Sequence, residues 1–444
     1  MDFWIKAAQL ILALSILVIL HEFGHFIPAR LFKTRVEKFY LFFNPWFSLF
    51  KKKIGDTEWG IGWLPLGGYV KISGMVDESM DKEQMAQPAQ PWEFRSKPAW
   101  QRLIIMIGGV TVNLLLGIFI YICIMFVYGE EQVQTKDLKA GLAIHPFLAK
   151  YDLHSGDNIL KVEGAEVNHF NDINTDILLN EARKLTVQRP DGTIEEITLP
   201  AGVEYKLFKE GAFPATGLRH KSTVVDTVMP KTPAMKAGLQ KGDKIISIDG
   251  TAIEFYDQIQ SSLYAAKGKK ASIVIERSGK MDTLESKVLP AGTIGFAVKK
   301  EKYFDLKAIH TVKYSFGESI GRGTERGFST LSNYVAQMKF VFTKKGASSI
   351  GGFGAIGNLF PPTWDWQIFW MNTALLSIIL AFMNILPIPA LDGGHIVFLL
   401  YEMITGREAP QKVLEYAQYV GFILLMGLLL YANGNDLYRY FTGG

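Results

Sequence analysis

Four long stretches of the chain carry almost no charged residues. They are bounded by Lys6 and Arg30, by Arg102 and Glu130, by Asp365 and Asp392, and by Glu415 and Asp436. The one charge inside any of them is Glu22, in the first stretch. Each stretch is close to the roughly 20 residues that a helix needs to cross the hydrocarbon core of a bilayer. One such run could be a buried helix of a soluble protein, but four together predict four transmembrane helices.

The composition supports this prediction and excludes other classes of protein. Of the 444 residues, 48% are hydrophobic and 20% are charged, and the mean hydropathy is +0.14. A chain this apolar is not intrinsically disordered. Its single cysteine, Cys123, cannot form a disulfide within the chain and is predicted to pack inside an apolar run. The net charge of +4, from 47 basic and 43 acidic residues, does not indicate nucleic-acid binding.

The first apolar stretch could instead be a cleaved signal peptide. Asp2 and a single Lys6 make a poor basic start, however, and no small-residue cleavage site follows. The stretch continues into the sequence His21-Glu22-Phe23-Gly24-His25, which a discarded segment has no reason to carry. We therefore predict that this stretch is retained as the first transmembrane helix.

The distribution of basic residues predicts the orientation. The segment from Arg30 to Arg102 holds twelve Lys or Arg against eight Asp or Glu, and includes the cluster Lys51-Lys52-Lys53. Short loops rich in Lys and Arg face the cytoplasm. With four spans, both termini and the long segment from about 130 to 365 are then expected outside the cytoplasm.

The cytoplasmic segment contains a second pattern. Residues 58–72 alternate apolar and polar positions on both sides of Pro65-Leu66-Gly67-Gly68, which predicts a β-hairpin with a Gly-Gly turn. Two Trp and Tyr69 indicate that the hairpin lies at the membrane surface, although an ordinary soluble hairpin is the alternative. Residues 76–97 are polar and are predicted to be a mobile loop.

The long outer segment contains an internal repeat. The sequence from Gly156 to Gly164 returns 86 residues later, from Gly242 to Gly250. In each copy a Gly-Asp turn precedes an alternating strand and a second turn. The second copy follows the short helix Pro233–Leu239, which ends in an Ala-Gly-Leu sequence. Two β-rich domains of roughly 85 residues each are predicted.

These domains resemble PDZ domains, which bind an extended peptide along a sheet edge. The resemblance implies tandem PDZ domains, with Thr216, Gly217 and Leu218 as a carboxylate-binding loop of the second. The first copy has His145-Pro146 where the second has its helix start, so its groove could be altered or closed. Spacer folds without a ligand are the alternative.

The predicted fold class is a polytopic α-helical membrane protein with four transmembrane helices, a membrane-associated β-hairpin, and two PDZ domains inserted between spans 2 and 3. The predicted bounds are 1–30 for span 1, 31–102 for the cytoplasmic loop, 103–129 for span 2, 130–214 and 215–300 for the PDZ domains, 301–365 for outer amphipathic helices and a loop, 366–394 for span 3, 395–415 for a cytoplasmic helix and loop, 416–435 for span 4, and 436–444 for the tail.

The sharpest chemical signal is the sequence His21-Glu22-Phe23-Gly24-His25 in the first span. Residues i and i+4 share one face of a helix, so His21 and His25 can reach the same metal ion. Glu22 is near enough to take a proton from water at that metal. Ionisable residues inside a membrane are costly and usually mark function. Two structural core histidines are the alternative.

A catalytic zinc needs a third protein ligand, and none follows His25 nearby. The third span offers Asp392 at the end of its charge-free stretch, after Pro387 and Pro389 have broken the helix. Broken helices at membrane depth are tolerated where they line a buried or wet cavity. A helix-end residue at the membrane interface is the alternative for Asp392.

Together the two motifs resemble the site-2 protease family of intramembrane zinc metalloproteases, whose patterns are HExxH and N-x-x-P-x-P-x-L-D-G. The resemblance implies one zinc per chain, held by His21, His25 and Asp392, with Glu22 as catalytic base. It places Asn384 near the site or the substrate. Gly109 to Asn113 matches the family's Gly-x-x-x-Asn, with Val110 where proline is common.

The PDZ insertion makes the chain most like the bacterial sigma-E regulatory branch of that family. This implies an inner-membrane enzyme, with its site toward the cytoplasm and periplasmic PDZ domains. It would cleave the transmembrane segment of single-span proteins after a first outside cut, such as an anti-sigma factor or remnant signal peptides. The residues expected to present an edge strand to the unwound substrate are Leu64, Pro65, Leu66, Gly67, Gly68 and Tyr69. The PDZ pair is expected to exclude unshortened substrates, and a substrate tail could bind there.

Two other classes of function remain open from the sequence. One is a membrane-tethered PDZ scaffold with a vestigial metal site, although the intact Glu22 argues against it. The other is a metal or proton transporter, although no inverted repeat is visible. Two His and one carboxylate also suit iron. His395 is expected not to be a ligand, and the histidines of the outer segment (His145, His154, His169, His220 and His310) are expected to be structural or exposed.

Overall fold

The computed structural model describes residues 2–75, 87–167, 170–299, 303–304 and 309–442. Residues 76–86 of the predicted mobile loop, and His169, lie outside these ranges. The helices are α1 (Asp2–Leu31), α2 (Ala99–Val127), α3 (Phe170–Leu178), α4 (Val203–Glu210), α5 (Pro233–Lys236), α6 (Tyr256–Ala265), α7 (Phe316–Val341), α8 (Lys344–Ser349), α9 (Phe353–Gly357), α10 (Trp366–Ile385), α11 (Asp392–Thr405) and α12 (Gln411–Thr442).

Four of these helices, α1, α2, α10 and α12, are long and apolar enough to cross a membrane, by length and composition. The four spans predicted from the charge-free stretches are therefore confirmed as helices. Each is as long as a bilayer crossing requires, because 20 residues of α-helix extend about 30 Å.

The predicted end of the third span, at residue 394, is wrong. Helix α10 ends at Ile385, and Leu386 has extended backbone angles. Pro387 and Pro389 lack the N–H that would continue the helix. A new helix, α11, begins at Asp392, so this carboxylate stands at a helix start rather than at a helix end.

Two predictions near the C-terminus also need correction. The loop predicted within 301–365 contains α8 and α9, and the predicted tail 436–444 is helical as far as residue 442. The extension is stabilised by side chains of α12 that bond the segment before it. Asp436 accepts from the backbone N–H groups of Gly352 and Ala355, both at 3.0 Å, and Arg439 donates to Ile350 O at 3.1 Å.

Helix α7 confirms the amphipathic helix predicted within 301–365. The first part of α7 packs along α2. A Cβ on Gly323 would overlap the backbone of Ile122, and one on Gly327 would lie 2.6 Å from Ile118 Cγ1. Small residues spaced by four allow membrane helices to approach this closely.

The strands are β1 (Val36–Leu41), β2 (Phe43–Ile54), β3 (Thr57–Leu64), β4 (Tyr69–Ile72), β5 (Glu130–Val133), β6 (Leu142–Ile144), β7 (Asn158–Val162), β8 (Ala165–Glu166), β9 (Lys184–Gln188), β10 (Ile194–Thr198), β11 (Thr216–Leu218), β12 (Val225–Val228), β13 (Lys244–Ile248), β14 (Thr251–Ala252), β15 (Lys270–Arg277), β16 (Lys280–Lys287), β17 (Phe296–Val298) and β18 (Ile309–Val312).

The hairpin predicted over 58–72 is wrong, although both of its strands exist. The first sheet has the order β2-β3-β1-β4, so β1 lies between β3 and β4. Strand β3 instead pairs antiparallel with β2 and parallel with β1. The connection through Gly67 and Gly68 passes over the end of β1, since a Cβ on Gly68 would lie 2.6 Å from Tyr40 O. Strand β4 is thus a sheet edge.

Residues 87–97 are also less free than the predicted mobile loop. A 3-10 helix spans Phe94–Ser96, and the Phe94 side chain is buried in a core cluster. Glu93, only 3% exposed, accepts a hydrogen bond of 2.7 Å from Arg95 Nε. These buried contacts anchor the segment ahead of α2.

The chain forms two compact units. One comprises Met1–Gly129, Lys313–Val335 and Gly346–Gly444, and the other comprises Glu130–Val312 and Ala336–Lys345. In the second unit, β5 and β18 pair antiparallel, with Glu130 opposite Val312, so the inserted segment begins and ends at one two-stranded sheet.

The repeat seen in the sequence corresponds to two separate β-rich cores in the second unit. In both, the Asp of the Gly-Asp turn pairs with an Arg of a later strand or turn. Asp157 accepts from Arg189 Nη1 at 2.8 Å, and Asp243 accepts from Arg277 Nε at 2.7 Å. Helix α4 has no helical counterpart at the equivalent place in the second copy.

The predicted carboxylate loop Thr216-Gly217-Leu218 is assigned to the wrong domain. It forms β11, which pairs with β6 of the first domain, and Leu218 packs on the first core. The equivalent strand of the second domain is β17, which pairs with β12. The boundary predicted between residues 214 and 215 therefore moves beyond Leu218. Asn174 of α3 fixes β11 by bonding both the N–H and the C=O of Thr216 at 2.9 Å.

Candidate metal centre

His21, His25 and Asp392 converge in the first unit. Each offers a ligand atom, and the three atoms lie within 4.8 Å of one another. Asp392 Oδ2 is 3.3 Å from His21 Nε2 and 3.4 Å from His25 Nε2, and the two imidazole nitrogens are 3.2 Å apart. One turn of α1 thus supplies two donors, and the start of α11 supplies the third.

The chemistry of these donors fits a divalent metal ion such as zinc. Two imidazoles and one carboxylate are a common set of three protein ligands at catalytic zinc. Asp392 Oδ2 is buried and has no hydrogen-bond partner among the described residues. A buried carboxylate oxygen without a partner is costly unless a cation satisfies it. The arrangement could therefore hold one metal ion.

Neighbouring groups orient both imidazoles. His25 Nδ1 lies 2.9 Å from Ile105 O on α2, a carbonyl that can only accept a hydrogen bond. His25 Nδ1 is therefore the donor in this contact, which leaves Nε2, 3.4 Å from Asp392 Oδ2, as the ring nitrogen available to a metal ion. His21 Nδ1 lies 3.2 Å from the side-chain amide of Asn113, also on α2. Helix α2 supplies both outer contacts.

Glycines make room for this cluster where α1 crosses α2. A Cβ on Gly109 would overlap His25 Nε2 and lie 2.6 Å from His21 Cε1. A Cβ on Gly24 would lie 2.7 Å from Gly109 Cα, so the two helix backbones touch there. A Cβ on Gly108 would likewise overlap the Gly24 carbonyl oxygen. The family pattern predicts Gly109 and Asn113 near the site, but it does not predict that the two helices cross at Gly24 and Gly108. The sequence shows only that Gly24 and Gly108 are glycines within apolar helices.

Two further glycines place Asp392. The added Cβ of Gly393 would overlap the Leu386 carbonyl oxygen, and that of Gly394 would lie 2.7 Å from Ile388 O. The first turn of α11 therefore folds directly against the preceding segment, and the motif Asp-Gly-Gly is needed for this close approach.

Glu22, on the same helix turn as the two histidines, is 8% exposed. A Cβ on Gly68 would lie 3.5 Å from Glu22 Cγ. The connection from Leu64 to Tyr69 therefore passes beside this carboxylate, and strand β4 begins there. A carboxylate so placed can exchange a proton with a group at the three donor atoms.

The structure brings most of the remaining predicted residues to this region. The Asn384 amide nitrogen lies 3.4 Å from His21 Nε2. Tyr69 stacks on Tyr40 with a 5.3 Å centroid separation, and its hydroxyl donates to Asn44 at 2.9 Å. Leu66 is 45% exposed. Thr216, Gly217 and Leu218 are not part of the centre, since they lie in the second unit.

The described histidines of the outer segment make other contacts. His145 caps a 3-10 helix, its Nδ1 accepting from Phe147 N–H at 3.2 Å. Burial, assisted by Lys267, lowers the pKa of His145 to about 4, which keeps it neutral for this role. His220 stacks on Tyr256 with a 5.0 Å centroid separation. His154 is exposed beside Asp152.

Comparison with known proteins identifies the family. Residues 9–428 match peptidase family M50. The chain belongs to this family of site-2 proteases. It is 30% identical over 97% of its length to a Neisseria meningitidis protein named as a zinc metalloprotease, covering 98% of that protein. It is 29% identical to the regulator of sigma-E protease RseP of Escherichia coli, covering 97% of this chain and 98% of that protein.

A Haemophilus influenzae protein named regulator of sigma E protease is also 29% identical. The match covers 99% of this chain and 100% of the Haemophilus protein. Membership of family M50 makes the chain a zinc metalloprotease. This activity does not agree with the alternatives of a PDZ scaffold with a vestigial metal site or a transporter.

Proposed function

We propose that the chain is an intramembrane endopeptidase that binds one zinc ion through His21, His25 and Asp392. The observation that carries the proposal is the buried Asp392 Oδ2, which has no hydrogen-bond partner among the described residues and faces two imidazole nitrogens. Helices α1 and α10, which carry or precede these ligands, are both long and apolar enough to cross a membrane. Peptide hydrolysis would then occur within the bilayer.

Zinc supplies a Lewis acid that makes water nucleophilic at neutral pH and polarises the scissile carbonyl. Glu22 takes a proton from the attacking water and passes it to the leaving amine. His25 is held by Ile105 O, and His21 by Asn113, so neither ring has to reorient during the reaction. The Asn384 amide is placed to donate to the carbonyl oxygen as negative charge develops on it.

The substrate is bound as an extended strand, because an intact helix hides its carbonyl groups. Strand β4 is an edge of the first sheet and begins beside Glu22. An edge strand offers unpaired N–H and C=O groups to a peptide. The segment Leu64–Tyr69 leads into this edge, and the exposed Leu66 is available to contact a substrate side chain.

The relatives named regulator of sigma-E protease support a role in sigma-E signalling under envelope stress, and the four apolar helices support a bacterial inner-membrane location. The substrates are single-span membrane proteins already cut outside, such as an anti-sigma factor, and remnant signal peptides are a second class. The basic segment between Arg30 and Arg102 supports a catalytic site toward the cytoplasm. The two β-rich domains then lie in the periplasm.

We also propose that the two β-rich domains are PDZ domains that act as a size gate. Asn174 occupies both backbone groups of Thr216 in the first domain, which leaves that strand unable to pair with a peptide there. Gln260, at the equivalent place on α6, makes no hydrogen bond to β17 (Phe296–Val298) among the residues that the structure describes. A substrate tail would therefore bind the second domain rather than the first.

Removal and return of zinc test the enzyme directly. Purified protein is expected to cut a single-span reporter already trimmed outside, to stop after dialysis against a chelator, and to recover when one equivalent of zinc is added. The dependence is expected because a zinc ion held by His21, His25 and Asp392 would activate the water that attacks the peptide bond. Product formation is followed by gel and mass spectrometry, and zinc by elemental analysis. Cleavage that persists in zinc-free protein would refute the proposed chemistry.

Deleting residues 135–300 tests the gate. The deletion is expected to speed cleavage of an untrimmed reporter, because the bulk that excludes it is gone, and to leave cleavage of the trimmed reporter unchanged. The ratio of the two initial rates is the measurement. An unchanged ratio would show that discrimination does not come from these domains.

A further inference from the structure

Helix α12 makes few contacts with the rest of the chain. Among the residues of α12 that the structure describes, only Gln418, Gly421 and Ala432 are buried. Ala432 lies in the part that bonds the segment 350–355. Gln418 and Gly421 are three residues apart, on one face of the helix, and form the other buried position. Gln418 is 6% exposed, which is unusual for a polar side chain on a largely exposed apolar helix.

That face meets the segment Leu386–Leu391, directly before Asp392. Gln418 Oε1 accepts a hydrogen bond of 3.2 Å from the Ala390 N–H. A Cβ on Gly421 would overlap the Pro389 carbonyl oxygen, so the backbone of α12 lies against this peptide group. The two contacts grip consecutive residues of the segment from one side.

The segment needs such support. Ala390 has φ +79°, a left-handed conformation that is strained for a residue with a Cβ. Ile388 and Leu391 donate to carbonyl groups within the segment, at 2.7 and 3.0 Å, while Pro387 and Pro389 have no N–H. The Ala390 N–H is thus the donor of Ile388–Leu391 that is satisfied from another element.

We propose that Gln418 and Gly421 are positioning residues for the metal centre. They fix the strained turn at Ala390, and the turn fixes the direction in which the Asp392 carboxylate leaves the start of α11. The inference rests on the proposed zinc site and adds α12 to the elements that build it. Groups that orient a metal ligand typically change metal affinity by about 10- to 100-fold when they are removed.

Zinc affinity of the full-length protein in detergent is the test. Gln418→Leu keeps the size of the side chain but removes the acceptor, and it is expected to raise the zinc dissociation constant by about 10- to 100-fold. Gln418→Glu keeps an acceptor oxygen in either protonation state and is expected to retain most of the affinity. Competition with a chromophoric chelator gives the constants, and the visible spectrum of the cobalt-substituted protein reports the ligand geometry.

A matched glycine pair controls for general effects on α12. Gly421→Ala is expected to weaken zinc binding, whereas Gly427→Ala, whose added Cβ meets nothing within 4 Å, is expected to leave it unchanged. Thermal unfolding of the zinc-free proteins separates a loss of positioning from a loss of folding, and equal unfolding temperatures are expected for Gln418→Leu and the wild type.

The inference would be overturned if both Gln418→Leu and Gly421→Ala had the zinc affinity and the cobalt spectrum of the wild type. Slower cleavage by such a variant would then have a cause other than positioning of the metal ligand. A wild-type protein that binds no zinc would instead refute the proposed function. The two failures are therefore distinguishable.

Discussion

Replacing Glu22 by glutamine is expected to slow cleavage of the trimmed reporter by about 10²- to 10⁴-fold, the usual contribution of a general base. Glutamine has nearly the shape of glutamate but cannot take a proton from water. Glu22 is not one of the three residues that offer ligand atoms, so the zinc content is expected to remain that of the wild type. Initial cleavage rates and elemental analysis of the same preparations provide both measurements.

The same substitution at Glu325 is the control. Its side chain is 65% exposed and pairs with Arg322 on α7, so Glu325→Gln is expected to cleave at the wild-type rate. Equal cleavage by Glu22→Gln and the wild type would mean that a contaminant cuts the reporter. Loss of zinc from Glu22→Gln would mean that the carboxylate belongs to the metal-binding set rather than to the proton transfer.

A single methyl group at Gly109 is expected to have an effect of comparable size. The Cβ of alanine would occupy the space of His25 Nε2 and lie 2.6 Å from His21 Cε1, so both imidazoles would have to move. The neighbouring backbone of α1 at Gly24 touches α2 at the same point and offers no room for relief. A displacement of about 1 Å at a reacting centre can cost about 10²-fold in rate. Zinc affinity and cleavage are expected to fall together.

Intrinsic helix propensity predicts the opposite direction, since alanine stabilises a helix relative to glycine by about 1 kcal/mol. Gly434→Ala isolates this effect, because its added Cβ meets nothing within 4 Å. We expect this control to bind zinc and cleave normally. A Gly109→Ala protein with normal zinc affinity would show that the helix crossing can open, and that the packing at Gly109 does not determine the site.

Two of the three metal ligands can be predicted from the sequence because they lie four residues apart on one helix. The spacing of four residues places His21 and His25 on one face of a helix, and the charge-free stretch around them predicts that this helix crosses the membrane. Asp392 is a candidate from the sequence because it ends a charge-free stretch after two prolines, and the family resemblance gives it the role of third ligand. The crossing of α1 and α2 at Gly24 and Gly108 cannot be predicted from the sequence, because it depends on which helices pack together and produces no periodic pattern along the chain.

The sheet order was beyond the same reasoning. Two alternating runs separated by a Gly-Gly turn normally pair with each other, but β1 enters between them from earlier in the chain. Pairing with β1 satisfies both strands and leaves the turn to cross over its end. Local turn chemistry cannot reveal a partner that is distant in sequence.

The carboxylate loop was misplaced for a related reason. In each β-rich domain a late strand pairs with a strand that precedes the Gly-Asp turn, β11 with β6 and β17 with β12, so Thr216–Leu218 completes the first domain. The sequence shows where the Gly-Asp turns recur but not to which copy an intervening strand returns. The short α4 further obscures the alignment, because it lengthens the first copy alone.

The pairing of β5 with β18 bears on how this chain could have acquired its inserted unit. Directly opposite residues of antiparallel strands have Cα atoms roughly 5 Å apart, so Glu130 and Val312 lie as near to each other as the two sides of a hairpin. A segment inserted at that point would leave the end of α2 and the start of α7 close together in the chain path. Swapping residues 130–312 between related proteases would require two junctions in one short ribbon, and Ala336–Lys345 of the same unit would stay with the recipient chain.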